Sequence, residues 1–176
     1  MAKYCIECGH ELSDFDENGT MRLRCDKCGW IHYLNPYPAA AVLVVKGDEV
    51  LLVKRGVEPR IGLWCLPSGF EEYDEPPEMT AVRETKEETG LDIELVDLFD
   101  VCYVSETSKR CILIIYTAVL AGEAVTDDDL QPGDDVTDAR FCRFDEVPED
   151  IAFDSHRKAI ERFRREQKAK SKGQTD

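Results

Sequence analysis

From residue 39 onward apolar residues gather in short runs, and each run stops at a turn signal. Ala39–Val45 and Val50–Lys54 read as two strands joined by Lys46-Gly47-Asp48, the composition of a tight hairpin. Leu95–Val104 and Cys111–Ala121, rich in Val, Ile, Leu and aromatics, read as two longer strands separated by the polar stretch Ser105–Arg110. Ala139–Phe144 is a further short strand. Pro76–Thr89 has the marks of a helix: prolines at its start, Glu78 in the first turn and Gly90 as the stop, with Met79, Ala81 and Val82 as its inner face. A second helix spans about 154–170, with Asp154 or Ser155 as cap and Ala159, Ile160 and Phe163 as a narrow apolar stripe. Strands on either side of one helix, with another helix last, predict a layered domain of the mixed α/β (α+β) class.

Residues 1–34 break this rhythm. They are short and polar, and too few to build a core from side chains alone. They hold Cys5-x2-Cys8 and Cys25-x2-Cys28, each pair followed by Gly, a spacing that brings four thiolates to one tetrahedral centre. A closed four-sulfur shell leaves no position for water, so the expected ion is a structural Zn²⁺, with iron as the rival. His10 and His32 are then ordinary polar residues, and Trp30 and Tyr33 are packing groups. The other four cysteines, Cys65, Cys102, Cys111 and Cys142, lie among apolar neighbours and read as small hydrophobes. The predicted division is a zinc ribbon at 1–34, an extended linker at 35–38, a main domain at 39–170 including the last helix, and a flexible tail at 171–176.

The chain has 176 residues and a net charge of −15. Residues 155–176 carry a net +5 and the remainder a net −20. Such an acidic body repels phosphate backbones, which argues against a nucleic-acid partner and leaves a small phosphorylated substrate reached through cations. No apolar run approaches a membrane span and the start is no signal peptide, so a cytoplasmic protein without a membrane partner is expected.

Within the first long helix Glu84, Glu87 and Glu88 stand at i, i+3 and i+4, three carboxylates on one face. Like charges so close destabilise a helix unless something binds them, and hard divalent cations bind carboxylate oxygens. On spacing alone a solvated acidic face is equally open. The flanks change that balance. Gly69, Glu75, Arg83, Glu84, Glu87, Glu88, Gly90 and Leu91 match the 23-residue pattern G-x5-E-x7-R-E-U-x-E-E-x-G-U, where U is apolar. The stretch therefore resembles the signature of the Nudix hydrolases, with one departure, Thr85 at an apolar position. The likeness extends over about residues 37–165, from Val50–Arg55 and Gly62–Gly69 before the signature to Asp138–Phe141 and Asp145–Pro148 after it. A zinc ribbon ahead of such a domain is similar to the zinc-ribbon Nudix pyrophosphatases.

The resemblance implies an α/β/α sandwich with a mixed sheet and a hydrolase that cleaves the pyrophosphate bond of a nucleoside diphosphate linked to another moiety, ADP-ribose or FAD foremost. It implies Mg²⁺ or Mn²⁺ on Glu84, Glu87 and Glu88, with the Gly69 carbonyl as a further ligand. It implies that Arg83 orients Glu84 and pairs with Glu75. The general base is Glu87, Asp135 or Asp138, and Arg55, Arg60 and Trp64 are candidate contacts to substrate. Competing readings are a nucleoside triphosphate pyrophosphohydrolase, a non-catalytic nucleotide sensor whose ribbon docks a partner, and a ribbon that serves as an assembly or homodimer contact.

Overall fold

The computed structural model describes residues 3–106, 109–122, 125–133 and 135–173, with side chains to Lys170. The chain divides into two compact units, residues 1–35 and 36–176. The tail expected from residue 171 lies partly outside the described residues, and the last helix continues to Gly173.

In the first unit β1 (Leu12–Glu17), β2 (Thr20–Cys25) and β3 (Ile31–His32) form an antiparallel sheet. The β1–β2 turn is Asn18-Gly19, both at positive φ (55° and 87°), the handedness a two-residue hairpin needs. Aromatic side chains of the ribbon find partners within it. The Arg22 guanidinium lies 4.6 Å from the Tyr33 ring centre, the Tyr33 hydroxyl donates to Glu17 at 3.1 Å, and Trp30 meets His32 at 5.6 Å.

The second unit is built on β4 (Tyr37–Lys46), β5 (Glu49–Arg55), β6 (Trp64–Cys65), β7 (Ser68–Phe70), β8 (Ile93–Val104), β9 (Cys111–Leu120) and β10 (Val136–Arg143), with α1 (Pro77–Thr89) and α2 (Asp154–Gly173). The sheet order is β10-β5-β4-β9-β8, with β6 on β5 and β7 on β4; β4 and β9 run parallel and the other pairs antiparallel. β4 begins at Tyr37, inside the stretch expected as linker, because it pairs with β9 from that residue onward. Ala39–Val44 is buried on both faces. Ala39, Ala41 and Leu43 face a core closed by Ala159, Ile160 and Phe163 of α2, and Ala40, Val42 and Val44 face one that includes Ala81 of α1. The result is an α/β/α sandwich around a mixed sheet, the architecture expected from the sequence.

Two details depart from the sequence reading. Met79 and Val82 are exposed (60% and 37%), and the buried side of α1 is Thr80, Ala81, Thr85, Glu88 and Thr89. Thr85 tolerates burial because its hydroxyl donates to the Ala81 carbonyl at 2.8 Å, which also explains how a polar residue fills the apolar place. Neither Asp154 nor Ser155 caps α2. Asp154 is already helical, and its amide donates to the Glu106 carboxylate at 3.2 Å.

Candidate active site

Three elements bring the signature residues together. α1 runs into a left-handed Gly90 (φ 77°), whose amide closes on the Lys86 carbonyl. The segment between β9 and β10 satisfies two more carbonyls at that end, with Gln131 N on Thr89 O at 2.9 Å and Gly133 N on Glu88 O at 3.2 Å. β7 pairs with β4 (Ala40 opposite Gly69, Ala41 opposite Ser68) and delivers Gly69 against α1. A Cβ on Gly69 would lie 2.0 Å from the Glu84 carboxyl, so any side chain there must displace that group.

Arg83 organises the carboxylates as a planar fork. Its Nε and Nη2 donate to Glu75 at 2.9 and 2.8 Å, and its Nη1 donates to Glu84 at 2.7 Å and to Glu87 at 3.0 Å. The Arg83 bonds hold Glu75 down to about 2. Glu84 is raised, because burial outweighs the same arginine. Glu88 is 9% exposed and accepts the Ser68 amide at 3.0 Å; burial pushes it up to about 8. Glu87 is on the rim, its side chain 59% exposed.

A cavity of about 670 Å³ opens beside this acidic wall, inside the 300–1,000 Å³ range of small-ligand sites. Glu84, Glu88, Gly69, Arg55 and Asp135 line it, whereas Glu87, Arg83, Arg60, Trp64 and Asp138 do not. Asp135 is held in place by its backbone, its carbonyl accepting the Gly56 amide at 2.7 Å. Asp138 is on β10 opposite Lys54, exposed and away from the cavity. Trp64 is 5% exposed and packs in the core under the Arg140 guanidinium, 4.2 Å from its ring, so the sequence reading of Trp64 as a substrate contact gives way to a packing role. Arg60 is tied to the Ala152 carbonyl and pairs with Glu106 at 3.7 Å. Arg55 braces its own loop, with Nε donating to Pro59 O at 2.7 Å.

Sequence reasoning missed Phe70, Phe153, Ser155 and His156, all of which line the cavity. For His156 a signal existed, because it shares the i, i+3, i+4, i+7 stripe of Ala159, Ile160 and Phe163 and so had to face inward. Its imidazole is 3% exposed, and Nδ1 accepts the Leu66 amide at 3.1 Å.

Two donor sets suit metal ions. In the ribbon the Sγ atoms of Cys5, Cys8, Cys25 and Cys28 lie within 4.8 Å of one another, three of the pairs at 3.5–3.6 Å. That is near the ~3.8 Å edge of a tetrahedral zinc–sulfur centre and far from the ~2.05 Å of a disulfide. Gly9 and Gly29 donate to the Cys5 and Cys25 carbonyls at 2.9 and 2.8 Å, forming two matching turns around the sulfurs. In the main unit the fit rests on two desolvated carboxylates, Glu84 and Glu88, whose ionisation needs positive charge. Among the described residues the glutamate oxygens do not form a cluster as tight as the sulfurs; Glu84 and Glu87 share Arg83, and Glu88 accepts the Ser68 amide.

Fold and site together define an α/β/α-sandwich protein whose acidic helix stands beside a ligand-sized cavity. A family model described as the NUDIX domain matches residues 35–163, and one described as Nudix N-terminal matches residues 3–34. The chain belongs to the Nudix hydrolase family. It is 35% identical over 133 residues to an ADP-ribose pyrophosphatase of Methanocaldococcus jannaschii, with 76% of each chain covered. It is 28% identical over 152 residues to the NAD-capped RNA hydrolase NudC of Pseudomonas aeruginosa, covering 83% of this chain and 49% of that one, so it spans about half the length of that relative. Among solved structures, a NUDIX hydrolase from Nitrosomonas europaea superposes with a TM-score of 0.84 at 31% identity, over 96% of this chain and 93% of that one. The NUDIX domain of Shewanella oneidensis NrtR, complexed with ADP ribose, matches with a TM-score of 0.62 at 25% identity, over 77% of this chain and 90% of that one.

Proposed function

We propose that this chain is a divalent-metal-dependent pyrophosphatase acting on a nucleoside diphosphate joined to a second moiety, with ADP-ribose as the substrate that best suits it. The observation that carries the reading is the pairing of desolvated Glu84 and Glu88 with Gly69 and Asp135 around one cavity of about 670 Å³. The Methanocaldococcus relative's name supports the choice of substrate.

Glu84, Glu88 and the Gly69 carbonyl would hold Mg²⁺ or Mn²⁺, with Glu87 reaching in from the rim. When bound, the cations supply positive charge against the diphosphate oxygens. Arg83 holds Glu84 through its 2.7 Å bond and anchors itself on Glu75, which fixes the orientation of the acidic wall. The Asp135 carboxylate takes the proton of the attacking water, because it lines the cavity and Asp138 does not. The bond that breaks is the phosphoanhydride, and the products of ADP-ribose are AMP and ribose 5-phosphate. In the ribbon, Cys5, Cys8, Cys25 and Cys28 hold a structural Zn²⁺.

The test incubates purified protein and Mg²⁺ with ADP-ribose, FAD, NADH, NAD-capped RNA and a set of nucleoside triphosphates, separating products by chromatography. The proposal predicts AMP and ribose 5-phosphate from ADP-ribose as the fastest reaction. Pyrophosphate release from a triphosphate as the preferred reaction would replace it with the clean-up reading. Binding of ADP-ribose without turnover would replace it with the sensor reading.

A further inference from the structure

The stretch Leu66-Pro67-Ser68-Gly69 is gripped by side chains from both helical layers. On one side of the sheet, His156 of α2 accepts the Leu66 amide on Nδ1 at 3.1 Å. Two residues on, the Ser68 amide donates to Glu88 Oε2 of α1 at 3.0 Å. Between them Pro67 has no amide to offer, and its carbonyl takes the Val42 amide at 3.0 Å. Gly69 follows, against the Glu84 carboxyl. β6 ends at Cys65, so the buried Leu66 amide has left the strand ladder and finds its acceptor in the imidazole.

We infer that His156 is a positioning residue for the acidic site, setting Ser68 and Gly69, and through them Glu88 and Glu84, by accepting the Leu66 amide. The inference rests on reading that site as the cation site. Acceptance at Nδ1 places the imidazole proton on Nε2, so His156 does this work only as the neutral ring. Burial, aided by Arg55, keeps it neutral by pulling its pKa down to about 3. α2 is thereby part of the site's machinery although it carries none of the signature residues. The imidazole does for the carboxylate wall what outer partners do for metal ligands in general, where their loss costs roughly 10–100-fold in metal affinity.

The test measures Mn²⁺ affinity and unfolding temperature of the full chain for wild type, His156→Leu and His156→Asn. Asn carries an acceptor oxygen where His carries Nδ1, and Leu fills the space without one. The inference predicts that Leu weakens Mn²⁺ binding roughly 10-fold or more, that Asn restores most of it, and that kcat for ADP-ribose follows the same order. A Leu variant that melts earlier yet binds Mn²⁺ like wild type would overturn it, as would Asn and Leu losing affinity equally. Should Leu prevent folding, the wild-type protein decides by ¹⁵N NMR: Mg²⁺ is expected to move the His156 Nδ1 and Leu66 amide resonances, and resonances that ignore Mg²⁺ would overturn the inference. The predicted Mn²⁺ pattern in a protein that turns over no nucleotide sustains the inference and removes the proposed function.

Discussion

Glu88 and His156 pull the stability of the metal-free protein in opposite directions with pH. Glu88 stands near 8 when folded and at the ordinary carboxylate value when unfolded, so between those values the folded state binds more protons and stability falls as pH rises. His156 stands near 3 when folded and at 6.5 when unfolded, so stability falls as pH drops through that window. Denaturant unfolding across pH 4–9 without divalent ions should therefore lose stability on the alkaline side, and saturating Mg²⁺ should remove that loss by compensating the Glu88 charge. An alkaline limb unchanged by Mg²⁺ would contradict a cation at Glu88. Gly69 offers a steric test. Gly69→Ala places a Cβ 2.0 Å from the Glu84 carboxyl, and displacement of that group should cut kcat on the order of 100-fold with the fold retained by circular dichroism.

α1 is held at its C-terminal end by a loop that contributes no signature residue. Gly133 approaches so closely that a Cβ there would stand 1.9 Å from the Glu87 carbonyl, so Gly133→Ala must push the loop off the helix. The loop also carries Asp135 into the cavity, and the substitution should therefore lower kcat roughly 100-fold and melt the protein earlier, both readable on one preparation. Asp135 was among the candidate bases, but the clamp of Gly133 on α1 was not legible, since a glycine among aspartates reads as an ordinary turn. Other elements were legible because one local signal fixed them. The Gly-ended helix, the Lys46-Gly47-Asp48 hairpin and the apolar run Ala39–Val45 of β4 carry their own instructions. Where contacts distant in sequence decide, the reading failed. Met79 and Val82 look like a core stripe, yet α1 turns Thr80, Ala81 and Thr85 inward because that face also delivers Glu88 to the cavity. β8 absorbs two bulges, at Leu95/Asp97 and Leu98/Asp100, that strict alternation does not announce.

At the scale of the whole chain the proposed donor sets differ by unit, soft sulfurs in residues 1–35 and hard carboxylate oxygens in residues 36–176. A zinc chelator should unfold the ribbon alone, exposing its amides to hydrogen exchange while β4, β5 and β9 stay protected; loss of protection in both units together would contradict that separation. Among the described residues no helix is long and apolar enough to cross a membrane. The motif's carboxylates and the four-cysteine ribbon were readable from spacing because each is packed into a short stretch of chain. The cavity was not, because Arg55, Asp135, Phe153 and His156 converge on it from four places in the sequence. The central claim is that carboxylates at this cavity drive hydrolysis of a phosphoanhydride. It is tested most directly by following ADP-ribose with Mg²⁺ by ³¹P NMR, comparing wild type with Glu88→Gln. The account predicts that the diphosphate signals give way to two phosphomonoester signals with wild type, and that Glu88→Gln loses this at least ~100-fold while remaining folded. Equal rates for the two proteins, or intact ADP-ribose with both, would contradict it.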